Sequence, residues 1–132
     1  MKKTALITGA SKGIGKELAL IFAQDNINLV LVARSSEILS EFKKHLETNY
    51  SISVLVVVKD LCSPSSAQEL FNEIKANQIE IDYLVNNAGF GVFGFFDETD
   101  LEREISLIDT NVTAVHILTK LFLKDMIKRN SG

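Results

Sequence analysis

Two clusters of glycine in this chain of 132 residues are candidates for a nucleotide-binding turn, although only the second has the dinucleotide spacing. The first glycine turn, TGASKGIG at residues 8–15, spaces its glycines as G-x-x-x-G-x-G. The second glycine loop, GFGVFG at residues 89–94, matches the dinucleotide pattern G-x-G-x-x-G. Unpaired backbone amides at the start of a helix bind phosphate, because the helix dipole favours an anion there. Phosphate binding is therefore expected at whichever cluster opens a helix.

A helix is predicted directly after the first glycine turn, where apolar residues recur at helical spacing: Ile14, Leu18, Ile21 and Phe22. Within the turn, Gly9 allows the tight bend, Gly13 lets the backbone approach a diphosphate, and Gly15 permits close packing of helix on strand. The second glycine loop continues as FFDE before Thr99 can cap a helix, so it offers no helix N-terminus. We interpret it as a mobile, apolar loop on the substrate side, the alternative being a connection that merely needs glycine.

A phosphate-transferring P-loop is the other interpretation of the first glycine turn. Residues 10–17, ASKGIGKE, come close to the pattern G-x-x-x-x-G-K-[ST]. However, Ala10 replaces the first glycine and Glu17 replaces the hydroxyl that binds magnesium. Because a carboxylate beside nucleotide phosphates is repulsive, the sequence disfavours phosphoryl transfer.

Short apolar runs predict four strands, at Thr4–Thr8, Leu29–Ala33, Val54–Val58 and Tyr83–Val85. Capping residues predict where helices start: Ser35 or Ser36 before the face Ile38, Phe42 and Leu46; Ser63-Pro64 before Ala67, Leu70, Phe71 and Ile74; and a capping box of Thr99 and Glu102. The last helical pattern runs to about Lys128, with a candidate break near residues 109–111.

The strands are continuous apolar runs rather than alternating ones, which is typical of a parallel sheet covered by helices on both faces. With right-handed crossovers, the first three strands lie in the order 3-2-1 and the fourth starts the other side. The sequence therefore predicts one α/β domain over residues 1–132, with a Rossmann-like doubly wound parallel sheet of order 3-2-1-4 and flanking helices. Its ligand crevice is expected between strands 1 and 4.

Four motifs in this order resemble those of the short-chain dehydrogenase/reductase family: TGASKGIG at 8–15, Asp60-Leu61 after the third strand, NNAG at 86–89 and Asn111 in DTNVTA. The resemblance covers essentially all 132 residues. It implies an NAD(P)-binding domain whose cofactor is wrapped by Gly9, Ser11, Lys12, Gly13, Ile14 and Gly15. It also implies that Asp60 and Leu61 touch the adenine, and that the ribose and nicotinamide side is lined by Asn87, Ala88 and Gly89. Taken alone, Asp60 fits a carboxylate that caps a turn; the ordered set of motifs favours the cofactor role.

The residues after the second strand favour NADP(H) over NAD(H). An NAD site usually places an acid there to bind the ribose 2′-hydroxyl, whereas this chain has Ala33 and Arg34. Arg34 can make a bidentate contact with a 2′-phosphate, Lys12 is a second cation in reach, and Ser35 is a hydroxyl donor. The alternative is that Arg34 is a solvated charge before a helix.

For catalysis, the resemblance implies a Ser and a Tyr-x-x-x-Lys pair, with Asn111 as the fourth member. Only Asn111 is present, because Tyr50 and Tyr83 are followed four residues later by Val54 and Asn87. No His/Cys cluster predicts a metal site, and Cys62 is interpreted as a small buried filler.

We therefore expect these residues to be the N-terminal portion of a longer NADP(H)-dependent oxidoreductase that interconverts a carbonyl and an alcohol. The truncated piece itself is expected to be inactive. The alternative is a non-catalytic module that binds and senses NADP(H).

Bulk properties exclude several other partners. The net charge of −3, with scattered Lys and Arg, gives no case for binding nucleic acid or an anionic membrane. The single Cys62 rules out an internal disulfide and fits a reducing compartment. With no signal peptide and no apolar run near ~18 residues, a cytoplasmic protein is expected.

The last helix has apolar residues on more than one side. One predicted stripe comprises Val112, Val115, Thr119, Phe122 and Met126, and it is flanked by Ile117, Leu118, Leu121 and Leu123. One stripe can pack on the sheet, so another must be covered. We expect a homo-oligomer through this helix, the alternative being that further polypeptide covers it.

Overall fold

The computed structural model describes residues 1–132 and contains one parallel sheet of four strands. The strands are β1 Thr4–Thr8, β2 Asn28–Ala33, β3 Val54–Val58 and β4 Tyr83–Val85. They lie in the order β3-β2-β1-β4, which confirms the predicted topology. In register, Leu6 of β1 lies beside Val30 of β2 and Leu84 of β4.

Helices follow each strand and cover both faces of the sheet. They are α1 Gly13–Gln24, α2 Ser36–Asn49, α3 Ser66–Ala76, α4 Leu101–Ile108 and α5 Ala114–Arg129, with a π-helical segment at Asp109–Thr113 between the last two. None of them combines the length and the apolar character needed to cross a bilayer.

The hydrophobic core forms two layers, one on each face of the sheet, because alternate strand residues point to opposite faces. On one face, β1 and β2 pack with Leu39 and Leu46 of α2. On the other face, they pack with Leu70 of α3 and Leu118 of α5. Helices therefore cover both faces of the sheet, and a ligand can reach the strands only at their ends.

Helix α1 buries its small residues most deeply, and only part of the predicted apolar set packs against the core. Gly15, Ala19 and Ala23 are buried, whereas Ile14 and Ile21 are exposed. Small side chains let the helix approach the sheet closely, and the larger isoleucines are left on the outer side. The apolar spacing predicted the helix correctly; of its residues, Leu18 and Phe22 pack against the core, and Ile14 and Ile21 do not.

Helix α2 begins where the sequence predicts. The Ser35 hydroxyl oxygen caps it by accepting a hydrogen bond from the Ile38 backbone amide at 3.4 Å. The buried face consists of Leu39, Phe42 and Leu46, so Leu39 takes the place predicted for Ile38.

The predicted start of α3 is wrong. Ser63-Pro64 lies in a turn in which the Ser63 carbonyl accepts from the Ser66 amide at 3.1 Å, and the helix begins at Ser66. The hydroxyl groups of Ser63 and Ser65 bond to each other instead of capping a helical amide.

The predicted capping box at α4 is also wrong. Asp100 caps this helix, since its carboxylate accepts from the backbone amide of Arg103 at 3.0 Å. The Thr99 hydroxyl donates to the carboxylate of Glu104 instead. A carboxylate and a hydroxyl compete for the same position here, and the charged acceptor makes the stronger bond.

The candidate break near residues 109–111 is present as the π-helical segment rather than as an end of the helix. A π turn inserts one extra residue, which rotates everything after it by about 100° relative to a continuous helix. The buried stripe of α5 is consequently Ala114, Leu118 and Phe122, whereas Val112 and Thr119 of the predicted stripe are exposed.

Candidate cofactor site

A cleft of about 540 Å³ opens at the carboxyl ends of the strands, within the usual size of a small-molecule site, about 300–1,000 Å³. It is lined by all the predicted cofactor residues except Gly15, namely Gly9, Ser11, Lys12, Gly13, Ile14, Arg34, Ser35, Asp60, Leu61, Asn87, Ala88 and Gly89. The other lining residues are Val32, Ala33, Ile38, Lys59, Cys62, Phe90 and Thr110.

The first glycine turn brings the start of α1 close to the end of β1 and leaves the position in front of Gly13 open. Gly13 has φ +57°, a conformation that side chains disfavour, and a Cβ placed there would point into open space. At Gly15, by contrast, a Cβ would lie 2.3 Å from the Gly9 carbonyl oxygen. The start of α1 therefore approaches the turn directly, and no side chain fills the space in front of its free amides.

The turn is held against the residues that follow β4 by a network around Thr8. The buried hydroxyl of Thr8 accepts from the backbone amides of Asn87 and Ala88, each at 3.0 Å. In return, the side-chain amide of Asn87 donates to the carbonyls of Thr8 and Gly9 at 3.0 and 3.1 Å. These bonds join the two walls of the cleft, and the sequence analysis did not identify Thr8 as part of the site.

Asp60 lies at the end of β3 with its carboxylate fixed in the cleft wall. The backbone amide of Cys62 donates to it at 3.0 Å. This bond is the main cause that lowers the pKa of Asp60 below its usual value of 3.8; burial acts against it, and the charge of Arg34 adds to it. Because the folded-state pKa is lowered, the stabilisation is present above pH 3.8 and is lost as the pH falls through the folded value. At neutral pH the carboxylate is therefore an ionised acceptor.

The end of the cleft near β2 is positively charged. Lys12 and Arg34 are both exposed, and neither forms an ion pair. Ala33 ends the strand and contributes no carboxylate. The Ser35 hydroxyl accepts the capping bond described above, which leaves its proton free to donate to a ligand. Lys59 is different, because Glu69 and Glu73 hold it at 3.5 and 3.6 Å.

Asn111 lies beside the cleft and not in its wall. Its side chain binds both backbone groups of Phe90: the Phe90 amide donates to Oδ1 at 3.1 Å, and Nδ2 donates to the Phe90 carbonyl at 2.8 Å. The guanidinium of Arg103 lies 5.2 Å from the centre of the Phe90 ring. The second glycine loop is thus anchored at its first turn, while Phe93 and Phe96 farther along are almost fully exposed.

The second glycine loop opens no helix, as the sequence predicts, since residues 89–94 contain neither helix nor strand. Tyr83 is remote from the cleft because it begins β4, at the opposite end of the sheet, where its half-buried ring packs on Phe22 at 5.4 Å. Cys62 is half-buried in the cleft wall rather than buried in the core. No group of three or more His, Cys, Asp and Glu side chains is arranged to hold a metal ion.

The family model for short chain dehydrogenases matches residues 3–132. The chain belongs to the short-chain dehydrogenase family. Over 133 residues it is 35% identical to the NADP-dependent 3-hydroxy acid dehydrogenase of Schizosaccharomyces pombe, covering 98% of this chain and 51% of that relative. It is also 38% identical to the oxidoreductase UcpA of Escherichia coli K12 over 131 residues, covering 98% and 49%.

Solved structures of short-chain dehydrogenases have the same fold. The enzyme from Sphingobium yanoikuyae in complex with NADPH superposes with a TM-score of 0.92 at 32% identity, covering 98% of this chain and 50% of that one. The chain spans about half the length of the curated relatives it matches. The family membership confirms the resemblance inferred from the four motifs.

Proposed function

We propose that this chain is the cofactor-binding, N-terminal part of an NADP(H)-dependent short-chain dehydrogenase. The complete enzyme would transfer hydride between the nicotinamide and a small-molecule carbonyl or alcohol. The observation that carries the proposal is the single cleft around the predicted residues, with the unpaired cations Lys12 and Arg34 at one end. The name of the S. pombe relative and the NADPH complex of the Sphingobium enzyme support the same cofactor.

The cations and Ser35 would recognise the 2′-phosphate that distinguishes NADP(H) from NAD(H). A guanidinium can bind phosphate through two parallel hydrogen bonds, so Arg34 is the principal contact. Lys12 adds a point charge, and Ser35 adds the proton that its capping bond leaves free. Ala33 offers no carboxylate to accept from a 2′-hydroxyl, so the NAD(H) contact is missing.

The other half of the cleft would place the reactive end of the cofactor. The amides of the first glycine turn bind the diphosphate, and the ionised Asp60 accepts from the adenine side. When bound, the nicotinamide supplies or accepts the hydride. Asn87 acts through position, because its amide is occupied by the carbonyls of the first glycine turn and holds Ala88 and Gly89 against the cleft.

Carbonyl reduction also requires a proton donor, which these 132 residues do not supply through a Tyr-x-x-x-Lys pair. The proposal assigns that pair and the serine to the longer protein. Asn111 contributes by fixing the backbone of Phe90, so its effect on catalysis would pass through the second glycine loop. We expect the 132-residue piece to show no turnover with any carbonyl substrate.

Calorimetric titration with NADPH and NADH tests the cofactor assignment. The chain should bind NADPH more tightly, and Arg34→Ala should weaken NADPH binding by about 10- to 100-fold, the range of a charge-assisted hydrogen-bonded contact, with little change for NADH. Lys44→Ala removes an exposed cation from α2 outside the cleft and is the matched control. Equal loss of affinity for both cofactors, or tighter binding of NADH by the unmodified chain, would contradict the assignment.

The second candidate function is a module that senses NADP(H) without chemistry. It is favoured by one observation: neither Tyr50 nor Tyr83 begins the catalytic pair. The coding sequence downstream of Gly132 separates the two functions. A serine followed by Tyr-x-x-x-Lys supports the enzyme, and a stop codon supports the sensor. A cytoplasmic location belongs to both proposals and is supported by the single cysteine.

We also infer that the chain associates with a second copy through α4 and α5. Four exposed apolar residues follow one another along the outer side of α4 and the π-helical segment: Leu101, Ile105, Ile108 and Val112. Glu102 and Glu104 lie at the N-terminal end of this helical pair, and basic side chains lie at its C-terminal end, including Lys128. Antiparallel pairing of two copies would bury the apolar residues and place each acidic end against a basic end.

A further inference from the structure

The adenosine end of the cleft and the second glycine loop are connected by adjacent side-chain contacts. Asp60 binds the backbone amide of Cys62 at 3.0 Å, and the Cys62 sulfur lies 3.2 Å from the hydroxyl of Thr110. The next residue, Asn111, holds the backbone of Phe90 through two hydrogen bonds. These contacts join the loop after β3, the π-helical segment and the second glycine loop, and all three segments contribute residues to the wall of one cleft.

Thr110 has two alternative hydrogen bonds within this connection. Its side chain is buried, with 6% of the residue exposed. The hydroxyl lies 2.9 Å from the carbonyl oxygen of Ser106 and 3.2 Å from the sulfur of Cys62. Because a hydroxyl has one proton, it donates to only one of them at a time. Donation to Ser106 joins the π-helical segment to α4. Donation to Cys62 joins the same segment to the cleft wall that contains Asp60.

We propose that Thr110 is a positioning residue that transmits occupancy of the adenosine end to the second glycine loop. A ligand held by Asp60 and Leu61 fixes the neighbouring Cys62, and this favours the arrangement in which Thr110 donates to the sulfur. The π-helical segment is then held more firmly, and with it the Asn111 side chain that already binds the backbone of Phe90. This inference rests on the proposed cofactor site and assigns a role in it to a buried hydroxyl.

The probe for this coupling is adenosine 2′,5′-bisphosphate, which carries the adenine, the ribose and the 2′-phosphate but no nicotinamide. It can occupy the end of the cleft near Arg34 and Asp60. Because Phe90 lines the same cleft, transmission through the protein is measured as the difference between the shifts of the unmodified chain and those of the variants. The amide resonances of Phe90 and Gly91 in ¹⁵N-labelled chain provide the readout.

In the unmodified chain the probe should shift these two amide resonances. Thr110→Val keeps the side-chain shape but removes the hydroxyl, so the shifts should disappear even when the probe saturates the cleft. Thr110→Ser restores the hydroxyl and should restore the shifts. Cys62→Ala removes the sulfur that contacts Thr110 and also bonds to Asp60, leaves the bond to Ser106 intact and should abolish the shifts as well. Thr113→Val, on the same π-helical segment but without a side-chain hydrogen bond, is the control and should behave as the unmodified chain.

Two results would overturn the inference and leave the cofactor assignment standing. One is a chain that binds the probe with no shift at Phe90 and Gly91; the other is full shifts in Thr110→Val and Cys62→Ala. If the unmodified chain binds neither NADPH nor the bisphosphate, the proposed function fails and the coupling fails with it.

Discussion

At the scale of single residues, the site depends on where side chains are missing as much as on where they are present. The first glycine turn leaves open space in front of Gly13, and α1 touches the turn at Gly15. Ala33 is equally informative, because a methyl group stands where an acid would bind a ribose hydroxyl. The groups that the proposed cofactor site offers are backbone amides, one ionised carboxylate at Asp60 and two unpaired cations.

Gly15→Ala tests this close contact. The added Cβ would lie 2.3 Å from the Gly9 carbonyl oxygen and 2.5 Å from the Asn87 side-chain nitrogen, so backbone must move. We expect a loss of about 1–3 kcal/mol in the free energy of unfolding, as for other overpacked sites, measured by urea denaturation. Gly91→Ala is the control, since its Cβ would meet only the ring of Phe93 at 3.3 Å. Equal stability of the two variants would mean that α1 does not approach the turn this closely.

The structure brings the residues predicted for the cofactor, except Gly15, together in one cleft, but the sequence did not predict the residues that support this cleft. Glycines, Arg34 and Asp60 have spacings that chemistry restricts, so they are visible in the sequence. Thr8 and Thr110 act through hydrogen bonds to groups 48 or more residues away, and nothing local distinguishes them from other threonines. Thr110 had one available signal, its position directly before Asn111.

At the scale of elements, strands were predicted more accurately than helix starts and helix faces. A buried parallel strand is a continuous apolar run, and its ends are marked by the first polar residue. A helix start is decided by which acceptor reaches a free amide, and this is why Asp100 rather than Thr99 caps α4. In α1 the most deeply buried side chains are the smallest, so the apolar spacing identified only Leu18 and Phe22 of the residues that pack against the core.

Helix α3 offers a test of backbone strain at a helix end. Gln78 follows this helix with φ +56°, a conformation that costs a residue with a side chain about 1–2 kcal/mol. Gln78→Gly should therefore stabilise the chain by about 0.5–1 kcal/mol, after the greater freedom of glycine in the unfolded state is subtracted. Gln68→Gly, the same change within α3, should instead destabilise by up to about 1 kcal/mol. Urea denaturation of both variants checks the opposite signs, and destabilisation by Gln78→Gly would contradict the observed backbone.

At the scale of the whole molecule, helices cover both faces of the sheet, but nothing in the structure covers the outer side of α4. Apolar residues remain there on a surface that also separates acidic from basic side chains. The exposed apolar residues favour association with another surface. The separation of acidic from basic side chains fits an antiparallel partner. The π-helical segment contributes to this arrangement, since it rotates α5 so that its buried stripe differs from the one expected for a continuous helix.

Sedimentation equilibrium tests whether α4 mediates pairing. Ile108→Glu places a charge among the apolar residues and should convert a dimer into a monomer. Ile21→Glu changes a residue of nearly equal exposure, 54% against 53%, on α1 and should leave the dimer intact. A monomeric profile of the unmodified chain at high concentration, or dissociation of both variants alike, would exclude pairing through this surface.

The strands of the sheet differ in how many residues they pair with their neighbours. Strand β2 matches five residues with each neighbour, whereas β4 matches only three residues of β1 and has no strand on its other side. The wall of the cleft from Asn87 to Phe90 therefore follows the strand with the shortest pairing in the sheet. A molecule that contacts both walls of the cleft would therefore stabilise the sheet most at the pairing of β1 with β4, which is its shortest.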